Sequence, residues 1–224
     1  MEPRKLLVEA IGTFFLAFTV GMTVIDPGAG PLAPIAIGTS LAVMIYAGGH
    51  ISGGHYNPAV TLGVLVRGGI KPVEALAYWV AQIVGACLAG AAVAYSKPAL
   101  PVVTLNKDIQ VGPGLLAEFL FTFALVYVVL NVATAKGTEG NSFYGFAIGF
   151  TVMTGAFAVG GISGGAFNPA VAIGGAFMNI FSWSEIWIYL AAELVGGIVA
   201  AVVFILTHPD EVSDALIKVG GRSR

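Results

Sequence analysis

One stretch of this chain occurs twice, and this repeat decides the fold. The first copy is Gly49-His-Ile-Ser-Gly-Gly-His-Tyr-Asn57-Pro-Ala-Val-Thr-Leu-Gly63. The second copy is Gly160-Gly-Ile-Ser-Gly-Gly-Ala-Phe-Asn168-Pro-Ala-Val-Ala-Ile-Gly174, and ten of the fifteen positions are identical. The second asparagine follows the first at an offset of 168 − 57 = 111, which is about half of the 224-residue chain. The spacing indicates two related halves.

The similarity between the halves extends beyond this stretch. Gln82-Ile-Val-Gly85 pairs with Glu193-Leu-Val-Gly196 at the same offset as the two asparagines. Near the start of each half, Glu9 with Thr13-Phe14 pairs with Glu118 and Thr122-Phe123 at an offset of 109. The whole unit is therefore predicted to be duplicated.

The composition is that of a membrane protein with several spans. Hydrophobic residues make up 57% of the chain, charged residues only 10%, and there are 31 glycines. Soluble domains carry about 25% charged residues, and a disordered chain lacks this apolar content. The glycines follow no three-residue period, which excludes a collagen-like chain. Small residues are favoured where transmembrane helices touch, so close helix packing is expected.

Six apolar stretches are close to the roughly 20 residues that a spanning helix needs. They are 6–25, 33–50, 73–95, 114–135, 143–161 and 186–207. Two shorter pieces, 57–66 and 168–178, are about half a bilayer long and begin at Asn-Pro. Asn suits the N-cap of a helix and Pro its first position. We expect two half-helices that do not span the membrane.

The expected organisation is an inverted repeat. It comprises a first repeat (1–96), a connector (97–113), a second repeat (114–207) and a polar tail (208–224). Each repeat has three spans, so the two repeats enter the membrane in opposite directions. The half-helices then meet near the midplane, where broken backbone is tolerated only inside protein or beside a watery cavity. The predicted class is an all-α membrane protein with six transmembrane helices and two re-entrant half-helices.

The positive charges predict the orientation. With both termini in the cytoplasm, only Lys97 and Lys107 lie on the opposite side. The other eight cationic residues are cytoplasmic: Arg4, Lys5, Arg67, Lys71, Lys136, Lys218, Arg222 and Arg224. No basic cluster indicates nucleic acid. The first apolar run is too long for a cleavable signal peptide. The compact loops and the lack of a targeting segment lead us to expect a prokaryotic inner membrane.

The two Asn-Pro-Ala boxes, each after Ser-Gly-Gly and set in a three-plus-three repeat, resemble the aquaporin (major intrinsic protein) family. The Gly-Gly-His-Tyr-Asn-Pro-Ala-Val run is similar to that of plant tonoplast aquaporins and their bacterial relatives. The resemblance implies a passive channel for water that excludes protons and ions, assembled as a homotetramer in the lipid bilayer. No cofactor or metal is implied.

The resemblance also implies which residues line the pore. Asn57 and Asn168 would cap their half-helices and turn amide donors toward the lumen, although one box alone is explained equally well by a helix cap. The boxes are completed by Pro58, Ala59, Pro169 and Ala170. The Gly-rich turns would expose a ladder of backbone carbonyls at Gly53, Gly54, His55, Gly164 and Ala166. Leu41 and Val152 correspond to the apolar wall of the family's pore, or are ordinary core residues.

The narrowest part of the pore departs from the family pattern. Most members place an arginine after the second box, where this chain has Val171. The other constriction positions correspond to Ile37, Ala156 and Gly165, which are small or apolar. A wider, uncharged opening is therefore expected, and it would admit ammonia, hydrogen peroxide, urea and, at the upper limit of size, glycerol. Ala172 and Ala176 stand where the glycerol-conducting branch has an acidic and a basic residue, so water is ranked first.

Three polar residues inside apolar segments have competing interpretations. Glu9 and Glu118 are either a proton relay or, as the resemblance favours, carboxylates that brace the re-entrant loops. His55 is either a vestibule residue or a packed, hydrogen-bonded histidine. Metal binding would need more ligands at suitable spacing. Cys87 lies in an apolar stretch and is expected to be a packed small residue.

Other classes of protein remain as alternatives. An ion-coupled secondary transporter shares inverted repeats and broken helices at the midplane, and it is the main alternative. A gas or ammonia channel of another fold would not be expected to carry paired Asn-Pro-Ala boxes, and the short loops argue against a scaffold role. An enzyme is the least favoured class, since no nucleophile–base pair or phosphate loop is evident.

Overall fold

Helices are the only regular secondary structure in the residues that the computed structural model describes, 2–97 and 109–211. Six helices in this part of the chain are long and apolar enough to cross a membrane, and two are half that length. The helices are α1 (Pro3–Val24), α2 (Ala33–Ser52), α3 (Pro58–Val66), α4 (Pro72–Ser96), α5 (Val111–Ala133), α6 (Tyr144–Ser163), α7 (Pro169–Phe177) and α8 (Ile186–Thr207). Short 3₁₀ turns lie at Gly30–Leu32, Lys136–Thr138 and Trp183–Glu185. The predicted fold class is confirmed.

Helix boundaries lie within three residues of the expected spans, and the largest differences are at the starts of α1 and α5. Helix α5 begins at Val111, three residues before the expected 114, and Pro113 is its third residue. Proline is tolerated in a first turn because the N–H it lacks has no acceptor there. Most of the connector (98–108) and of the polar tail (212–224) lies outside the described residues.

The long helices cross at points where glycine lets two backbones approach. Helices α2 and α6 meet at Gly38 and Gly149, and a Cβ on either residue would overlap the carbonyl oxygen of the other. Gly85 brings α4 against Ala10 of α1, and Gly196 does the same for α8 against α5. These crossings account for the high glycine content, since membrane helices associate largely through close packing.

Each half-helix packs into the other half of the chain. Helix α3 contacts α8, where Gly63 and Gly197 adjoin, and helix α7 contacts α4, where Gly174 lies against Ala86. A Cβ at Gly197 would overlap the carbonyl oxygen of Ala59 at the start of α3. The two repeats therefore interlock at the centre of the molecule.

Both ends of the described chain lie on the same side of the bundle, which we call the termini side. Lys5 of α1 pairs with Glu74 of α4 at 3.2 Å, and Arg67 after α3 pairs with Glu211 at 2.7 Å. Glu211 also accepts a hydrogen bond from the backbone N–H of Lys136, at 2.8 Å. The start of the tail is thus anchored to the α5–α6 loop rather than only solvated.

On the other side of the bundle, called the far side, the partly buried Lys97 contacts the end of α1. Lys97 donates hydrogen bonds to the carbonyl oxygens of Met22, Ile25 and Pro27. Carbonyls at the end of a helix have no intrahelical partner, so this ammonium satisfies the C-terminus of α1.

Candidate pore

A narrow cavity of about 30 Å³ lies at the centre, between the first turns of α3 and α7. It has room for roughly two water molecules, since one needs roughly 10–15 Å³. The cavity is lined by eight residues from each half, matched at the offsets of the repeat. The pairs are Leu16/Leu125, Val20/Val129, Ile37/Ile148, Leu41/Val152, Gly54/Gly165, His55/Ala166, Asn57/Asn168 and Val60/Val171. We call this the central cavity.

The two asparagines cap their half-helices and also join them. The Oδ1 atom of Asn57 accepts from the backbone of Ala59 at 2.8 Å, and that of Asn168 accepts from Ala170 at 3.0 Å. Asn57 Nδ2 donates to the carbonyl of Phe167 at 2.8 Å, and Asn168 Nδ2 donates to the carbonyl of Tyr56 at 2.9 Å. An amide nitrogen has two hydrogens, so each asparagine retains one donor for the cavity.

The residue before each asparagine has a left-handed backbone. Tyr56 and Phe167 both have φ of +48°, a conformation that is uncommon for bulky side chains. Such a residue costs on the order of 1–3 kcal/mol and persists only where its surroundings enforce it. Here the conformation is held by the reciprocal bonds from Asn57 and Asn168 to the two carbonyl groups. The strain marks the meeting point of the two halves.

Glu9 lies beneath the first re-entrant turn and is fully buried. One carboxylate oxygen accepts from Ser52 Oγ at 2.6 Å and from the His55 N–H at 3.0 Å. The other accepts from the Tyr56 N–H at 2.7 Å and from Gln82 Nε2 at 2.8 Å. Buried carboxylates are tolerated when they are hydrogen-bonded in this way. These four hydrogen bonds tie the carboxylate of Glu9 to the re-entrant turn and to α4, which is the arrangement that the bracing interpretation predicts.

Glu118 occupies the equivalent place in the second half. It accepts from Ser163 Oγ at 2.5 Å and from the N–H groups of Ala166 and Phe167 at 3.2 and 2.8 Å. Glu193 replaces the glutamine of the first half, and its Oε1 accepts from the N–H of Asn168 at 2.9 Å. The second turn is therefore braced by two carboxyl groups, whereas the first has one carboxylate and one amide.

The turn residues proposed as a carbonyl ladder lie at different depths. Gly54, His55 and Ala166 line the central cavity. Gly53 lines a wider space on the termini side. Gly164 is packed so closely against Phe181 that a Cβ would overlap the ring.

Of the residues expected at the constriction and the apolar wall, five line the central cavity. These are Ile37, Leu41, Val152, Gly165 and Val171. Ala156 is not part of that lining, although its Cα would lie 3.6 Å from a Cβ built on Gly165. Among the lining residues in the described chain, only His55, Asn57 and Asn168 have polar side chains.

His55 is both a cavity residue and a hydrogen-bonded one. The residue lines the central cavity, and its Nδ1 lies 3.0 Å from Thr61 Oγ1. The edge of its ring contacts the Tyr78 ring at 5.2 Å between centroids. His55 is thus hydrogen-bonded and packed, and it lies at the central cavity rather than among the residues that line the vestibule. Within the described residues, no group of three His, Cys, Asp or Glu residues is placed to hold a metal ion.

A larger space of about 600 Å³, the vestibule, opens on the termini side. It is bounded by the end of α2, by the loop 132–141 and by the start of α6. Ile148 lines both the vestibule and the central cavity, so it marks the junction between them. His50 lines the vestibule and is exposed.

Several residues that build the site were not identified from the sequence. Ser52 and Ser163 each accept a hydrogen bond from the second glycine of their turn, at 3.1 Å. Tyr78 and Tyr189 each donate to the carbonyl of the respective serine. Both pairs obey the offset that relates the two asparagines, so extending the repeat alignment to every polar position would have found them.

Comparison with known proteins agrees with this architecture. The family model described as major intrinsic protein matches residues 2–204. A probable aquaporin of TIP type from Medicago truncatula is 36% identical over 212 residues, covering 88% of this chain and 84% of that protein. A glycerol uptake facilitator protein-like protein from Lactiplantibacillus plantarum is 40% identical over 207 residues, covering 88% and 95%. The solved aquaglyceroporin of Plasmodium falciparum has the same fold, with a TM-score of 0.78, 21% identity, and coverage of 94% and 98%.

The helical bundle with its paired half-helices is thus that of a membrane channel. The chain belongs to the major intrinsic protein family, and its function is passive transport of water and small solutes across a membrane. The predicted family and channel function are confirmed, and the comparisons give no support to an ion-coupled transporter.

Proposed function

We propose that this channel conducts water as its main substrate, together with ammonia, hydrogen peroxide and urea, with glycerol at the limit of its size range. The observation that carries this proposal is the lining of the central cavity. Thirteen of its sixteen residues have no polar side-chain group, and none of the sixteen is an arginine, a lysine or a carboxylate residue. A neutral solute has only to shed part of its water shell there, whereas an ion would lose far more solvation energy.

Exclusion of protons and cations follows from the centre of the pore. Helices α3 and α7 direct their N-termini toward the cavity, where the helix dipoles are equivalent to partial positive charges. Asn57 and Asn168 each offer one free amide hydrogen there, so a passing water molecule accepts bonds from both. Its own hydrogens then point away from the centre, which interrupts a chain of water molecules that would carry a proton.

Among the described residues, those that line the far-side end of the central cavity carry no charge. Val171 occupies the position where the sequence resemblance leads us to expect an arginine, and Ile37 and Gly165 complete that end of the cavity lining. This composition supports permeation by neutral solutes larger than water. The relatives named above include an aquaporin of TIP type and a glycerol uptake facilitator-like protein, which is consistent with a mixed substrate range.

We further propose that the termini side faces the cytoplasm of a prokaryotic cell, that the chain forms a homotetramer, and that it has no enzymatic activity. The distribution of basic residues supports the orientation. Exposed apolar side chains around the bundle, such as Leu76 and Val80 of α4, are consistent with contact to lipid or to other subunits. Light scattering of the purified protein would give the number of subunits.

The test is stopped-flow osmotic shrinkage of proteoliposomes. Vesicles that contain the protein should shrink faster than empty vesicles and with a low activation energy. The same preparation is then challenged with urea, glycerol, ammonia and hydrogen peroxide. Water flux equal to that of empty vesicles would refute the channel proposal, and proton-dependent uptake would favour a transporter.

A further inference from the structure

The repeat gives each end of the pore a set of equivalent residues. At the offset that relates the two asparagines, Ile37, Ala156, Gly165 and Val171 on the far side correspond to Ile148, Ile45, Gly54 and Val60 on the termini side. We call these two sets the far-side ring and the termini-side ring. Since the arginine expected at the far side is replaced by Val171, side-chain size is the main remaining difference between the rings.

Size favours the termini side as the narrower end. The alanine at position 156 corresponds to Ile45, whose side chain is three carbons larger. Ile45 and Ile148 are only 2% and 4% exposed, while their counterparts Ala156 and Ile37 are partly exposed. Gly54 is likewise buried whereas Gly165 is partly exposed, and the two valines are buried alike.

The positions of the two cavities agree with this difference. Ile148 lines both the central cavity, of about 30 Å³, and the vestibule, of about 600 Å³. Ile45 lines the vestibule beside it. A solute that crosses the pore thus passes between a wide space and a narrow one, with Ile148 lining both spaces and Ile45 lining the wide one.

Resting on the proposed channel function, we infer that the termini-side ring, Ile45, Gly54, Val60 and Ile148, sets the size selectivity of the pore. Its side chains are aliphatic, so they offer no hydrogen bond to replace those lost by urea or glycerol on entry. Water, ammonia and hydrogen peroxide lose fewer bonds and are narrower, so they pass more readily. The far-side ring then acts as an open entrance rather than as the filter.

The experiment measures the ratio of urea and glycerol permeability to water permeability in proteoliposomes. Ile45→Ala and Ile148→Ala should each raise this ratio by about fivefold or more, equivalent to a barrier lowered by about 1 kcal/mol. Ile37→Ala, which removes the same atoms at the far side, should raise it by less than about twofold. Ile35→Ala, on the exposed face of α2, is the matched control and should leave the ratio unchanged.

The opposite pattern would overturn the inference. If Ile37→Ala raises the ratio and the termini-side variants do not, the far-side ring is the filter. If Ile148→Ala does not reconstitute, Ile148→Val is used instead. It removes a single methyl group and should raise the permeability ratio by a smaller amount. A wild-type protein without water flux above that of empty vesicles would instead refute the channel proposal itself, so the two failures are distinguishable.

Discussion

Replacing Glu9 by glutamine tests whether the buried carboxylate holds the first half of the pore in place. Its two oxygens accept four hydrogen bonds, from Ser52, His55, Tyr56 and Gln82. A glutamine presents one oxygen and one NH₂ group in the same space, so two of the four donors would face another donor. Gln82 can turn its amide and present Oε1, which has no hydrogen-bond partner in the structure, at the cost of the hydrogen bond from its Nε2 to Thr61 Oγ1. One donor conflict, at the Tyr56 N–H, then remains.

The size of the effect follows from that remaining conflict. A hydrogen bond to a charged group contributes about 1.5–3 kcal/mol, and a buried unsatisfied donor costs a similar amount. We therefore expect Glu9→Gln to lower the free energy of unfolding by about 2–3 kcal/mol. For a chain of this length, such a loss lowers Tm by roughly 5–10 °C. Water permeability should fall as well, because the turn that Glu9 holds positions Asn57.

Thermal melting in detergent, followed by circular dichroism, measures the stability, and stopped-flow shrinkage measures the flux. The matched control is Glu74→Gln, which removes a carboxylate paired with Lys5 at 3.2 Å in a more exposed position. Exposed ion pairs contribute about 0–1 kcal/mol, so Tm should change by less than about 3 °C. If Glu9→Gln also changes Tm by less than about 3 °C and its water flux equals that of the wild type, the bracing role is wrong.

Three further outcomes are expected. Val171→Arg should reduce urea flux by about tenfold and water flux by about twofold, because it adds a charged group to the far-side entrance; equal reductions in the solute panel would contradict the proposed position of Val171. Asn57→Ala should lower stability by about 1 kcal/mol through the lost cap, and stopped-flow assays should also show proton leakage once one of the two central donors is gone. Gly149→Ala should destabilise the protein by about 1–3 kcal/mol in melting experiments, since its Cβ would overlap the carbonyl of Gly38. Gly160→Ala on the same helix has open space around it, and a loss of stability there would undermine the packing explanation.

The fold could be predicted from the sequence largely because the decisive signals are local. Asn-Pro specifies a cap and a first helical position within two residues, and α3 and α7 begin at Pro58 and Pro169 accordingly. Apolar length marks the six spans in the same way. The helices α1 and α5 each begin three residues before the expected position, and in α5 this is because Pro113 is compatible with either a loop or a first turn.

The details of the site depend on contacts between distant segments. The left-handed backbone of Tyr56 and Phe167 is enforced by asparagines in the opposite halves of the chain. A positive φ is not expected for tyrosine or phenylalanine, so the sequence does not predict it. Whether Ala156 lines the cavity is decided by how α6 packs beside Gly165. That Ile148 lines both the central cavity and the vestibule is visible only in the folded structure.

The exchange of half-helices between the repeats has a consequence for how the protein is made. During synthesis, α1 to α4 enter the membrane before α8 exists, so α3 lacks the surface where Gly63 and Gly197 adjoin. The carbonyl of Phe167, which Asn57 binds, is also absent at that stage. Unpaired backbone is costly in lipid. We therefore expect the re-entrant turn before α3 to stay partly hydrated or bound to a chaperone until the second half is translated. Biogenesis of this channel is therefore completed by its last helix.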